Sequence, residues 1–163
     1  MHKLEMSILD VLLEDARTPA GEIAVMLGKT EQEIREAIAR LENQRIILKY
    51  PALINWQKVD VDEVEAVIEV RVTPQRDHGF DAIAEQIYRF EEVRNVYLMS
   101  GGFDLMVMLK ARTLKQLALF VAEKLSTIDG VLSTATHFVL KRYKSQGVIM
   151  DERGEDKRLK VTP

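Results

Sequence analysis

Cysteine is absent from the 163 residues, which removes disulfide scaffolds, cysteine nucleophiles, zinc fingers and iron–sulfur ligation. Histidine is scarce: His2, His78 and His137 stand far apart and form no H-E-x-x-H pattern, so no metal site is expected. Long apolar runs are missing as well. The longest, "LALFVA" at 117–122, has six residues and "LMVML" at 105–109 fewer, against roughly 20 for a membrane helix, so no membrane role is expected. The opening residues show no charged, apolar and cleavage segments in the order a secretion signal needs, which makes the cytoplasm the expected compartment. No P-loop, nucleophile elbow or Rossmann fingerprint occurs, so neither enzymatic activity nor a cofactor is expected. What is present, 47% hydrophobic and 30% charged residues, suits one globular domain or two small ones.

The first third reads as helices. Leu4, Ile8, Val11 and Leu12 recur at helical spacing. In "TPAGEIAVMLG", Thr18 is expected to cap a short helix with Pro19 at its first position and Gly28 past its end. Thr30 with Glu33 makes a T-x-x-E capping box for a third helix, whose apolar face is Ile34, Ala37, Ile38 and Leu41. The β-branched stretch "QRIILKYPALI" then reads as a short strand or hairpin, giving a winged helix-turn-helix over residues 1–54. The polar residues 55–64 read as a linker, with the lone Trp56 as a packing residue between domains.

From residue 65 to 144 the periodicity alternates strand, helix, strand, strand, helix, strand. That βαββαβ order is the ferredoxin-like unit, an antiparallel sheet with both helices on one side, so the fold class is α+β. A sheet covered on one side should alternate apolar and polar, yet "LMVML" and "HFVL" are apolar at consecutive positions. A second copy of the chain covering the other face is the economical explanation, with Met99, Met106 and Met108 as core or interface filling. Residues 145–163, with four acidic and four basic side chains between Asp151 and Lys160, read as a mobile tail.

Two constellations carry functional weight. On the third helix, Lys29, Thr30, Gln32 and Arg35 occupy the places from which a helix-turn-helix reaches base edges, while Arg40, Arg45 and Lys49 would hold phosphates. Residues 1–60 nevertheless hold eight basic against ten acidic side chains, which argues for weak affinity per dimer, raised by multivalency. The second is Ser100, Gly101, Gly102 and Asp104. A two-residue hairpin turn accounts for the glycines, whereas Asp104 between Phe103 and Leu105 needs a partner. Free glycine amides and a neighbouring carboxylate together suit an α-amino acid; Asp104 could instead cap the turn or face solvent.

The stretch "ILDVLLEDARTPAGEIAVMLGKTEQEIREAIARLENQRIILKYPALIN" resembles the N-terminal winged helix of the Lrp/AsnC, or feast/famine, family of regulators. "VRNVYLMSGGFDLMVMLKA" with "VLSTATHFVLKRYK" resembles their C-terminal amino-acid-sensing domain. The resemblance implies a transcriptional regulator that binds double-stranded DNA, assembles as a homodimer or octamer through its C-terminal sheets, and responds to an amino acid or related small molecule. It carries the effector site over to Gly101, Gly102 and Asp104, with Thr134 and Thr136 matching positions near it. It also marks Gln44 as a departure, because the family commonly has glycine there. The rival readings are an amino-acid-binding or oligomerisation protein with little DNA affinity, and an enzyme like the tetrapyrrole decarboxylases of related fold. The lone His137 speaks against the enzyme.

Overall fold

The computed structural model describes residues 3–73 and 79–150; His2, His78 and the expected tail from residue 151 onward lie outside these. The chain forms two compact units, Met1–Ile54 and Asn55–Pro163.

The first unit is three helices: α1, Lys3–Glu14; α2, Ala20–Leu27; and α3, Glu31–Asn43. Ile8, Ile23, Ala24, Ile34, Ala37 and Leu41 form its core, the faces that helical periodicity assigns. Pro19 sits at the N-cap of α2 rather than inside it, and the Thr18 hydroxyl donates to the Asp15 carbonyl instead of capping. Gly28, with φ 62°, ends α2 in the left-handed conformation, and α3 starts three residues on at Glu31. The Thr30–Glu33 capping box forms as expected.

α3 ends at Asn43, and an unusual residue closes it. Gln44 has ordinary φ, and the left-handed residue is Arg45, φ 57°. The Arg45 amide donates to the Glu42 carbonyl and the Ile46 amide to that of Leu41, the two bonds of a Schellman cap, whose left-handed position glycine fills at least cost. Arg45→Gly should therefore raise the stability of the helical unit by about 1 kcal/mol, read from its thermal melt; an unchanged or lower midpoint would count against a strained Arg45. Residues 44–54 contain no strand, so the expected wing is absent from this chain's own structure. Pro51 has no amide to donate, and no described segment offers these residues a ladder. Leu48, Tyr50 and Ile54 stay exposed.

The second unit carries β1 (Val64–Val72), α4 (Asp81–Tyr88), β2 (Val93–Leu98), β3 (Leu105–Ala111), α5 (Leu114–Phe120, continued by a π turn to Leu125) and β4 (Val131–Phe138). The strands are antiparallel in the order β2-β3-β1-β4, the ferredoxin-like arrangement. Ala66, Ile68, Val70, Leu105, Val107 and Leu109 point to one face and are buried under Ile83 and Ile87 of α4 and Leu117 and Phe120 of α5. The opposite face carries Val67, Glu69, Met106, Met108 and His137. Its apolar members are half-buried, and His137 Nε2 lies 3.3 Å from Glu69 Oε1.

Two expected boundaries move. Residues 55–64 are not a free linker: a 3-10 turn, Trp56–Lys58, belongs to the sheet unit, where Trp56 stacks on Lys110 with Nζ 5.4 Å from the ring centroid. Residues 145–150 are not a loose tail. β5 (Lys144–Ser145) and β6 (Val148–Ile149) form a hairpin, with Gln146 and Gly147 both left-handed at its turn. Met150 is buried behind it. Two-residue strands carry too little alternation for sequence to announce them.

Candidate nucleic-acid interface and effector-site geometry

α3 presents Gln32, Arg35, Ala39 and Arg40 outward, because Ile34, Ala37 and Leu41 are spent on the core. Its charges are matched within the unit. Arg35 pairs with Glu31 one turn back, Lys29 Nζ lies 3.8 Å from Glu33, and Gln32 Nε2 donates to Glu36 at 3.1 Å. The Thr30 hydroxyl accepts from the Glu33 amide and donates to the Glu33 carboxylate, so it is used by the cap. The Thr30 backbone amide, more than its hydroxyl, holds Glu33 below the usual carboxylate range, which keeps a negative charge on this surface. Arg40 turns to the half-exposed edge of α1, its Nε 3.5 Å from the buried Glu5, and so ties α3 to α1. Arg45 and Lys49 make no ion pair among the described residues and are the freest cations for a phosphate backbone.

Exposed pairs one turn apart are weak, about 0.3–0.5 kcal/mol each. A good bidentate arginine contact to a base gives about 1–3 kcal/mol. Releasing Arg35 from Glu31 therefore costs little, and the pairing leaves its guanidinium open to a stronger acceptor.

The loop between β2 and β3 spans residues 99–104, wider than the expected two-residue turn, and the Met99 amide donating to the Asp104 carbonyl at 2.8 Å closes it. Gly101 has φ 133°, a conformation that demands glycine. Gly102 has no such φ, and a Cβ there would meet nothing within 4 Å, so the chain's own packing does not require it. Ser100 is exposed beside them.

Asp104 has a partner the sequence did not reveal. Its Oδ2 accepts from the Val72 amide at 2.9 Å, where the β1–β4 register shifts between Arg71 and Val72. The strand-end irregularity leaves that amide in need of an acceptor, and the carboxylate supplies it. Oδ1 has no described partner. Thr134 and Thr136 pair with Val70 and Ile68, on the helix-covered face of β4, and the Thr134 hydroxyl is 3.4 Å from that of Ser126. β1 stands between them and Asp104, a separation of two strand spacings, about 10 Å. Within one subunit the loop and Asp104 are brought together, and the threonines are not joined to them.

This arrangement matches known proteins in both halves. Residues 1–42 match the model of the AsnC-type helix-turn-helix domain, and residues 65–149 that of the Lrp/AsnC ligand binding domain. The HTH-type transcriptional regulator YugG of Bacillus subtilis, described as uncharacterized, is 47% identical over 160 residues, which is 98% of this chain and 96% of YugG. The HTH-type transcriptional regulator LrpA of Pyrococcus abyssi is 34% identical over 137 residues, 84% of this chain and 94% of LrpA. Among solved structures, AsnC of E. coli superposes with a TM-score of 0.70 at 22% identity, covering 93% of this chain and 99% of AsnC. Regulator NMB0573 of Neisseria meningitidis, solved as an L-Met complex, gives 0.71 at 23%, covering 89% and 93%. Both superpositions speak to fold. With two domain models in family order and a relative this close along the whole length, the chain belongs to the Lrp/AsnC family of transcriptional regulators.

Proposed function

We propose that the protein binds double-stranded DNA through α3, assembles through the open face of its sheet, and has its assembly or DNA affinity set by an amino acid or related small molecule at loop 99–104. The observation that carries the DNA reading is the exposed pair Gln32 and Arg35 on a helix whose other face is locked into the core, with Arg45 exposed just past its end. Gln32 and Arg35 serve the bases, Lys29, Arg45 and Lys49 the phosphates, and Arg40 and Thr30 chiefly hold the helix in place. Gel shifts on promoter DNA at low salt test this. Arg35→Ala should weaken binding by about tenfold or more, with a salt slope persisting in the variant. No shift at any salt concentration would leave the second reading, an effector-binding assembly protein with little DNA affinity, which the self-paired charges of α3 favour. The relatives being transcriptional regulators, no catalysis is proposed, and the cytoplasm is the compartment this function implies.

The effector reading is supported by Gly102, which no contact among the described residues requires, and by Oδ1 of Asp104, which has no partner among the described residues and is suited to an ammonium group. It is also supported by the L-Met complex of a protein with this fold. Asp104→Asn separates the two tasks of this side chain, since the amide oxygen can still accept from Val72 while the charge is gone. Calorimetry across the twenty amino acids should find a ligand for the parent and at least about tenfold weaker binding for Asp104→Asn, with an unchanged melting temperature. Equal affinity in the two proteins would remove Asp104 from the site. The half-buried Val67, Met106 and Met108 support a dimer through the open face, and sedimentation decides between dimer and octamer.

A further inference from the structure

Opposite the packed face of α3, Gln32, Arg35, Glu36 and Ala39 form one exposed row, at the i, i+3, i+4 and i+7 spacing that keeps side chains on a single face of a helix. Glu36 is the anomaly in this row. A carboxylate on a surface that meets DNA is repelled by the phosphates, and helix formation gives Glu36 no separate reason to be acidic. Glu31 and Glu33 lie in the first turn, where the helix dipole favours negative charge, and Glu33 also closes the capping box. Glu36 comes after that turn. The cations nearest along the chain are used on other acids: Arg35 on Glu31, Lys29 on Glu33 and Arg40 on Glu5.

What Glu36 holds is Gln32, whose Nε2 donates to Glu36 Oε1 at 3.1 Å across one helical turn. An ionised carboxylate has two oxygens and about four acceptor sites, and it donates nothing, so this one contact does not exhaust it. In the major groove only two bases offer a donor, cytosine through N4 and adenine through N6. Beside N6 adenine also presents the acceptor N7, which would face a carboxylate lone pair to lone pair, whereas cytosine presents no acceptor there. Cytosine is therefore the base that suits a glutamate. An amide side chain, with one donor group and one acceptor, suits adenine instead.

We propose that Glu36 is a base-selecting residue of the reading helix, accepting a hydrogen bond from N4 of a cytosine in the duplex; this rests on the DNA reading of α3 given above and adds the base that the row prefers. Arg35, one position before it, matches O6 and N7 of guanine, so the two neighbours together favour a site containing G·C pairs. The negative charge of Glu36 lowers affinity for every sequence and is offset only where the cytosine stands. It thus contributes discrimination at the expense of overall affinity.

The test is selection by the full chain from duplexes randomised over about 20 base pairs, room for two half-sites a helical turn apart, followed by gel shifts on the selected duplex and on copies altered at single positions. The parent should require cytosine at one position, where any other base weakens binding about tenfold. Glu36→Ala should remove the preference at that position alone, and Glu36→Gln should turn it to adenine, with preferences elsewhere in the site kept. Alanine and glutamine are both good helix formers, and the position is exposed, so neither variant threatens the fold. A carboxylate that merely sits in solvent gives another pattern: Glu36→Ala then raises affinity for every duplex by the same factor and no preference changes. That pattern, a parent site without a cytosine requirement, or an unchanged cytosine requirement in either variant overturns the assignment of Glu36 and leaves DNA binding by α3 standing. A parent that shifts no duplex overturns both.

Discussion

If the open face of the sheet is the proposed interface, Met108→Asp should yield monomers and raise the apparent DNA dissociation constant about a hundredfold. Met108 lies on the open face, Cα-paired with Val67 on β1 and next to Met106. If a second copy covers this face, the aspartate is buried opposite apolar surface. The nearest cation along the strand, Lys110, is already held by Glu63 at 2.7 Å. An unpaired charge at the centre of an interface costs several kcal/mol, and about 2.8 kcal/mol is a hundredfold in an equilibrium constant. DNA affinity falls with it because two weak reading helices acting together depend on being linked. Sedimentation velocity and gel shifts on the same preparation measure both effects. A variant that sediments like its parent would end the open-face interface, while a monomer with undiminished DNA affinity would end the dependence of reading on assembly.

Gly130→Ala should destabilise the sheet unit by about 2–4 kcal/mol. Gly130 has φ 93°, a region that costs an L side chain about 1–3 kcal/mol. A Cβ there would lie 2.8 Å from Ile83 Cδ1 and 3.4 Å from the Thr73 carbonyl oxygen. The isoleucine methyl is the end of a flexible chain, but Ile83 is fully buried between α4 and the sheet and has little room to yield. The same glycine's carbonyl accepts from the Thr73 amide at 2.8 Å, so moving the backbone instead breaks the link between the ends of β1 and β4. Because the chain has two units, its melting need not be a single transition, and Trp56 emission follows the sheet unit specifically. A loss under about 1 kcal/mol would show that the Thr73–Gly130 turn relaxes freely.

How much the sequence revealed varies with the distance over which each feature is decided. The Thr30–Glu33 box formed where it was read, because a cap needs only residues three apart. The helical faces and the βαββαβ order also followed from periodicity, which is local. The cap that closes α3 was not legible: arginine stands where the backbone suits glycine, and nothing in an Arg codes for positive φ. The wing failed for another reason. A β-branched stretch states a preference for extended backbone, but a strand exists only when a partner supplies its hydrogen bonds, and composition cannot supply one. The loop was recognised from its glycines and carboxylate, yet the sequence could not show that half of that carboxylate is committed to Val72.

The sequence by itself determined the five helices and four long strands, their order, the buried face of each, and membership in a family read from both halves. Near neighbours decide all of these, through capping, alternation and the turn of the helix. Only the tertiary structure decided which remote groups meet. Asp104 reaches the amide of Val72, 32 positions back, and Asn55 the carbonyl of Met150, 95 positions on. Such partners are chosen by how the sheet closes and where its irregularities leave a donor unmatched, and no local preference records that.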